Sequence, residues 1–374
     1  MNSLASRSII WWIDHLGPGG AQEDLAVLTE SMSTYNVKQT VVCLNRAPSQ
    51  DFLDRIQKNK VTVHVIGKKR LFLLVGFVDV LTLLNRKSFD ISVSCLLYAD
   101  LLGNLFSYAK KIPVRITSQV SSNRHYSFLQ RLLLRAVLTS ATDVVLNSRT
   151  YLSFAKEYLP PKVPIHVISN GVKDVKKSRI RKGLRLPAML DLPEDSIFIG
   201  SVGRLSPEKR LSDVISALAC ISDERIHLVL VGDGPEKEFL QSAAVSENVS
   251  SRVHFTGYVE DVRSIFDSLS LFILSSSFEG MSNSLLEAMA AGCPVAVSEI
   301  DGNLELVTNW KTGRTFSVGD IKQIANIIDY CLSRPSQSEA LAKLGQEYVL
   351  SNYNEEKFLR SWRALLSVKL EQRV

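Results

Sequence analysis

Two carboxylates eight residues apart, Glu279 and Glu287, stand in the segment SSSFEGMSNSLLEAMAAGCPVAVS. The apolar run LFILSSS before them ends in small polar residues and a glycine turn, and helix-forming SLLEAMAAG follows. This pattern predicts Glu279 on the turn leaving a strand and Glu287 in the first turn of the next helix. At the carboxyl edge of a parallel sheet, such turns bind nucleotides and their phosphates. Ser284-Leu-Leu-Glu287 also fits a capping box, in which the glutamate returns to the amide that opens its own helix. Glu287 therefore has two readings, helix cap and ligand contact. Glu279 has no capping role, and an exposed carboxylate in a strand-exit loop needs a partner.

The cations that match these acids lie earlier. Arg204 and Lys209 are five residues apart in the Pro-containing loop GSVGRLSPEKR. A bidentate guanidinium and a compact ammonium aimed at one cleft suit a diphosphate, and they would stabilise charge building on a departing nucleotide. The plain alternative is a pair of surface bases closing a βα loop. A glycosidase with paired acids would leave this loop without a purpose. LVLVGDGPEKEFL repeats the strand, glycine turn and helix order, with Gly232 and Gly234 around Asp233 and Pro235 suited to the first helical position. That turn reads as structural. IDHLGPGGAQEDLAVL, with Gly17, Gly19 and Gly20, opens a helix whose amino end could meet an anion. It is neither GxGxxG nor a Walker A loop, and a tight turn without ligand fits it equally. His15 beside it reads as a turn residue.

These loops need strands and helices to hold them. Short β-branched runs alternate with helical stretches along the whole chain, the pattern of βαβ units and parallel sheets. SIIWWID, KQTVVCL, TVHVIG, DISVSC, VRITSQ, DVVLNS and IHVIS form a first series of strands. SIFIGSVGR, HLVLVGD, VHFTGY, LFILSS, PVAVSE and TGRTFSV form a second. Helices are expected between them, among them Ala21–Met32 and Tyr126–Thr139. The α/β architecture predicted is two Rossmann-like domains facing across a cleft: residues 1–172, a polar basic linker over 173–195, residues 196–352, and a C-terminal helix over 353–374. In that helix Phe358, Trp362, Leu365 and Leu366 make an apolar stripe suited to packing back on a domain surface.

Composition sets outer bounds. The chain has 374 residues, 45% hydrophobic and 22% charged, enough for two cores and typical of a globular protein. The apolar run Ile9–Ile13 passes directly into Asp14, unlike a cleavable signal peptide. Leu71–Leu84 is interrupted by Asp79 and falls short of the roughly 20 residues a bilayer needs. Cys43, Cys95, Cys220, Cys293 and Cys331 have no metal-binding spacing and read as buried thiols in a reducing compartment. Residues 1–185 hold 27 Lys+Arg against 12 Asp+Glu, a net +15, and the remainder holds 17 against 26, a net −9. The first half therefore suits an anionic partner. Lys68, Lys69 and Arg70 before LFLLVGFVDVLTLL, and Arg131 and Arg135 among leucines, suit helices lying on an anionic membrane surface. A helix packed on its own sheet with a solvated basic side is the alternative. Basic and aromatic residues are not interleaved as in base-stacking proteins, so nucleic acid ranks last.

Taken jointly, GGAQ, SNGV, GRLSPEKR, VGDGP, FTGYV, EGMSNSLLEAMAAGCPV and TGRTF resemble the GT-B glycosyltransferases, specifically the retaining group 1 (family 4) class. The resemblance covers nearly the whole chain and is strongest over 200–319. It implies a nucleotide diphosphate sugar as donor, a UDP-sugar more than GDP-mannose, and transfer of a hexose or N-acetylhexosamine. Glu279 would contact the transferred sugar and Glu287 the ribose hydroxyls. Arg204 and Lys209 would grip the diphosphate together with amides near Asn283, Ser284 and Leu285. Gly257 and Val259 would meet the base through their backbone, and Gly19 and Gly20 would let their loop close on the phosphates. No cofactor or metal is implied, since the Arg–Lys pair supplies the positive charge. The resemblance also implies a lipid-linked glycan acceptor in cell-surface polysaccharide or lipopolysaccharide assembly, with the protein cytoplasmic and peripheral on the inner membrane face. One departure stands out: many relatives carry a histidine after the strand matching VRITSQ, where this chain has Gln119, Val120, Ser121, Ser122 and Asn123, with His125 beyond. The rivals are a GDP-mannose-dependent mannosyltransferase, a UDP-sugar 2-epimerase, which needs further acid/base groups not found here, and a non-enzymatic membrane-binding module.

Overall fold

A computed structural model describes residues 7–17, 19–44, 48–66, 75–119, 132–133, 135–136, 138–159, 161–173, 186–259 and 262–371. Every strand expected from the sequence forms at its expected segment. In chain order they are β1 Ser8–Ile13, β2 Lys38–Cys43, β3 Thr62–Val65, β4 Ile91–Cys95, β5 Val114–Gln119, β6 Asp143–Leu146 and β7 Ile165–Val167, then β8 Ile197–Val202, β9 Ile226–Val231, β10 Val253–Gly257, β11 Leu271–Leu274, β12 Val295–Ser298 and β13 Arg314–Phe316. They build two all-parallel sheets, ordered β3-β2-β1-β4-β5-β6-β7 and β10-β9-β8-β11-β12-β13. Parallel strands joined through helices are covered on both faces, which is why β9 is buried along its whole length.

The chain divides into two compact units. Residues 1–170 with 356–374 make one, and 171–355 make the other. In the first unit, alternation along β1 sends its two tryptophans to opposite layers. Trp11 donates to Gln39 at 3.1 Å and joins the core under the helix Gly20–Ser33. Trp12 donates to Ser92 at 3.0 Å and stacks on Phe106 of the helix Leu97–Ala109. Phe358, Trp362, Leu365 and Leu366 of the C-terminal helix, Glu355–Glu371, belong to the same core as Trp11. That helix is an integral layer of the first unit. Of the expected linker, residues 174–185 lie outside the described residues; Leu186–Leu190 is helical, with Leu186 buried in the second unit's core.

Both Arg131 and the Lys68–Arg70 run lie outside the described residues, while Arg135 is exposed. Among the described residues no helix is long and apolar enough to cross a membrane. None of the cysteines forms a disulfide, and Cys220 is exposed at the end of the helix Leu211–Ala219, against the expectation of buried thiols.

One polar clamp fixes the C-terminal helix to the first sheet. Asp143 is fully buried, and its Oδ1 accepts from His166 Nε2 and from Lys369 Nζ, both at 2.8 Å. Burial alone would raise the carboxyl, but the hydrogen bonds from His166 and Lys369 outweigh it and hold Asp143 below its ordinary value of 3.8. A depressed carboxyl contributes stability above its unfolded-state pKa and loses it as pH falls through the folded value. Lys369→Met should therefore lower unfolding stability by about 3 kcal/mol at neutral pH. In urea titrations the gap between variant and parent should narrow as pH drops below about 4; a pH-independent gap would contradict the clamp.

Candidate functional site

In the second unit the chain runs outward from β8 to β10 on one side and from β11 to β13 on the other, so strand order reverses between β8 and β11. Loops leaving adjacent strands at such a point diverge and open a crevice at the carboxyl edge. The loop after β8 carries Arg204 and Lys209, and the loop after β11 carries Glu279.

The glycines build the first wall. Gly232 has φ +126°, and a Cβ there would lie 2.0 Å from the Gly203 carbonyl oxygen; one on Gly234 would lie 2.2 Å from that of Leu205. The loops after β8 and β9 thus stack backbone on backbone. Leu205 N–H donates to the Asp233 carbonyl and Glu236 N–H to that of Leu205, both at 3.0 Å. The VGDGP turn is therefore a structural support. Pro235 stands two residues before its helix, Lys237–Ser246, and not at the first position expected for it. Beyond Leu205 the chain makes a single 3₁₀ turn, Pro207–Lys209, and enters the helix Leu211–Ala219 through Arg210 at φ 49°, held by hydrogen bonds to Asp213.

The serines after β11 tie that turn down. Ser275 Oγ donates to the Lys209 carbonyl at 2.7 Å, and Ser277 N–H donates to the Glu208 carbonyl at 2.8 Å. This brings together the two residues the sequence left apart. Lys209 Nζ donates to Glu279 Oε1, which also accepts from Ser276 Oγ at 2.7 Å. The two charged side chains are only 17% and 15% exposed. A pair so shielded is held by its own geometry, and losing either partner strands the other's charge. Behind it, a Cβ on Gly302 would meet the Gly280 and Glu279 carbonyl oxygens at 2.2 and 2.5 Å. Buried Ser298 donates to the Ser276 carbonyl at 2.5 Å and is itself held by Asn303. These supports, Ser276, Ser298, Gly302 and Asn303, were missed; the D-G-N turn after PVAVSE is the signal that could have found two of them.

Arg204 is exposed and lines the same shallow depression as Lys209 beside Gly203. Gly257 has φ +68°, open space where a Cβ would stand, and a carbonyl that accepts from Gly232 N–H at 2.8 Å. Val259, two residues on, is half-buried.

The capping box is corrected. The helix is Asn283–Ala291, and its N-cap is Ser282, whose Oγ accepts from Leu285 N–H at 3.4 Å. Leu286 N–H goes to the Ser282 carbonyl. Ser284 lies inside the helix and Glu287 one turn further in, so Glu287 cannot return to the N-cap amide, and it stands half-buried beyond the first turn. The Leu285 amide expected on phosphate is already engaged, while Asn283 and Ser284 form the helix entry.

In the first unit, the loop after β1 enters the helix Gly20–Ser33, with Gly19 as N-cap. Gln22 is buried and donates to the His15 carbonyl at 3.2 Å, and Gly17 N–H donates to His15 Nδ1 at 3.3 Å. His15 thus shapes its own turn. Gln119 ends β5, and residues 120–131, with Val120, Ser121, Ser122, Asn123 and His125, lie outside the described residues.

Comparison with known proteins places this geometry. Residues 185–348 match the family model described as glycosyl transferases group 1. The chain is 30% identical over 182 residues to the lipopolysaccharide core biosynthesis glycosyltransferase LpsE of Rhizobium meliloti, covering 49% of this chain and 53% of that protein. It thus spans about half the length of that relative. It is 26% identical over 306 residues to the UDP-Gal:alpha-D-GlcNAc-diphosphoundecaprenol alpha-1,3-galactosyltransferase of Escherichia coli, covering 77% and 78%. The crystal structure of Anabaena HepE in complex with UDP and glucose superposes with a TM-score of 0.84 at 21% identity, over 97% of this chain and all of that one. At that identity the likeness establishes the fold. The chain has the GT-B fold, and its residues 185–348 are similar to the glycosyl transferases of group 1.

Proposed function

We propose that the protein transfers a hexose or N-acetylhexosamine from a UDP-sugar to a lipid-linked glycan in cell-surface polysaccharide assembly, with retention at the anomeric carbon. The observation that carries this reading is the shielded Lys209–Glu279 pair at the point where strand order reverses, with Arg204 beside it. Two relatives support the substrate class. The Escherichia coli enzyme is named for UDP-Gal and a diphosphoundecaprenol-linked acceptor, and the Anabaena structure contains UDP and glucose.

The chemistry follows from charge. The bond from the anomeric carbon to the diphosphate oxygen breaks as a bond to the acceptor oxygen forms, and the acceptor's proton passes to the departing phosphate. Negative charge grows on the diphosphate while the sugar becomes oxocarbenium-like. Lys209 and Glu279 satisfy each other. An arriving diphosphate draws Lys209 toward its oxygens, which frees Glu279 to accept hydrogen bonds from the sugar hydroxyls. Arg204 adds a second cation on the leaving group, stabilising charge that exists fully only after the bond breaks. Glu287, on the next helix, is assigned to the ribose hydroxyls. With both cations supplied by side chains, transfer should persist in EDTA.

Three outcomes test this reading. A UDP-sugar at about a hundred times its Kd should add about 2.7 kcal/mol to unfolding stability, read as a rise in Tm; a protein whose Tm no UDP- or GDP-sugar moves would sink it. Glu279→Ala should cost about a hundredfold or more in kcat, measured by release of UDP in the presence of membrane lipid acceptor, and unchanged turnover would remove Glu279 from the reaction. Gly302→Ala, which pushes on the Glu279 and Gly280 carbonyls from behind, should lose about 1–3 kcal/mol of stability and lower kcat without touching donor.

A further inference from the structure

The edge strand of the second sheet carries one of two histidines that the donor site does not use. β10 has a single neighbour, β9, and pairs with it through Val253, His254 and Phe255 before the register shifts ahead of Gly257. His254 stands opposite Val229, so His227, two residues earlier on β9, is its diagonal neighbour on the same face of the sheet. The rings meet there. His227 Nδ1 and His254 Nε2 are 3.0 Å apart, with ring centroids at 5.1 Å. At that separation one proton lies between the two nitrogens, with one imidazole donating and the other accepting. A protonated imidazole has donors only, so the bond survives one added proton on the pair and fails with two.

The surroundings favour neutral rings. His227 is buried, and the Phe198 ring of β8 lies 6.0 Å away, centroid to centroid. Desolvation holds both histidines below the ordinary 6.5; Arg252 adds to this at His227, and His227 adds to it at His254. Arg252 donates to the carbonyls of Ile221, Asp223 and Leu218, which fixes its charge in place. Glu224 acts the other way on His227, but it is largely exposed and lies 3.5 Å from Arg252. Asp223 pairs with Arg225, and on the helix Val262–Ser268 Arg263 pairs with Asp267. β8 bears no charged residue, and Asp191, Glu194 and Asp195 before it are exposed. Among the described residues, then, no carboxylate is placed on either ring to stabilise a second proton. Past the pair, β10 ends at Gly257, whose carbonyl accepts from Gly232 N–H at 2.8 Å.

We propose that the His227–His254 pair is an acid-sensitive latch: at neutral pH the shared hydrogen bond clips β10 to β9, and in acid a second proton breaks it and loosens β10 together with the Gly257 turn. A histidine held low in the fold contributes stability above about pH 6.5, and that contribution is lost as pH falls through the folded value. A consequence for donor affinity rests on the reading above, in which Gly257 meets the base; the latch itself does not.

Hydrogen exchange of the Val253–Gly257 amides in the free protein tests the latch. Their protection should fall by about tenfold between about pH 7.5 and about pH 5.5, beyond the change in intrinsic exchange, since one proton taken up on opening is worth about a factor of ten per pH unit. β8 amides should not follow, and His227→Phe/His254→Leu should abolish the fall. NMR titration of the parent's imidazoles needs no variant and should show these two rings titrating as a coupled pair, with the second step well below the ordinary histidine range. UDP affinity should weaken further in the parent than in the double variant over the same pH step. Unchanged protection of β10 in acid, or two rings that titrate independently, overturns the latch. So does a Tm raised by zinc at neutral pH in the parent and not in the double variant, which would give the nitrogens to a metal ion. A parent that binds no UDP at either pH counts against the donor reading alone, and exchange in β10 still decides the latch.

Discussion

The second unit is organised around one ion pair formed by loops that strand topology forces together. Lys209 and Glu279 are 70 residues apart in the chain, yet they leave β8 and β11, the two strands between which the order of the sheet reverses. Each loop is fixed before the charges meet: the first by close backbone contact with the glycine turn after β9, the second by serine hydroxyls and by the approach of Gly302. The pair therefore costs little additional ordering when it forms. Its shielding from water makes it strong while intact and responsive to a competing anion, since a diphosphate offers Lys209 more charge than one carboxylate can.

The same logic separates support from chemistry among the glycines and serines. Gly232 and Gly234 are required by neighbouring carbonyls. Gly257 faces open space, and its φ of +68° is what favours glycine there. Ser276 donates to Glu279, whereas Ser275 and Ser298 hold backbone. In the first unit Asn104 and Ser107 of the helix Leu97–Ala109 likewise match Thr117 and Ser92 on the sheet beneath, while Leu97, Ala99 and Phe106 of the same helix are buried in apolar cores.

Much of this was legible in the sequence. Parallel strands buried on both faces must be short, continuous and β-branched, and that pattern located every strand from SIIWWID to TGRTFSV. Arg204, Lys209 and Glu279 could be picked out because charge at strand exits is rarely neutral. Their pairing was not legible, because it depends on which strands are neighbours. The helix entry at Ser282 was misread because the run Ser282-Asn283-Ser284 offers two capping hydroxyls, and only packing of Leu285 and Leu286 inward decides between them.

The most direct measurement is calorimetric titration of UDP into the parent, Lys209→Met and Glu279→Gln proteins. If the pair is a donor-responsive lock, Lys209→Met should weaken UDP binding by about tenfold or more, from the loss of one charged hydrogen bond at the diphosphate. Glu279→Gln, which removes the competitor for Lys209, should leave UDP affinity equal or tighter. Equal weakening by both substitutions would contradict the account and reduce the pair to a structural bridge.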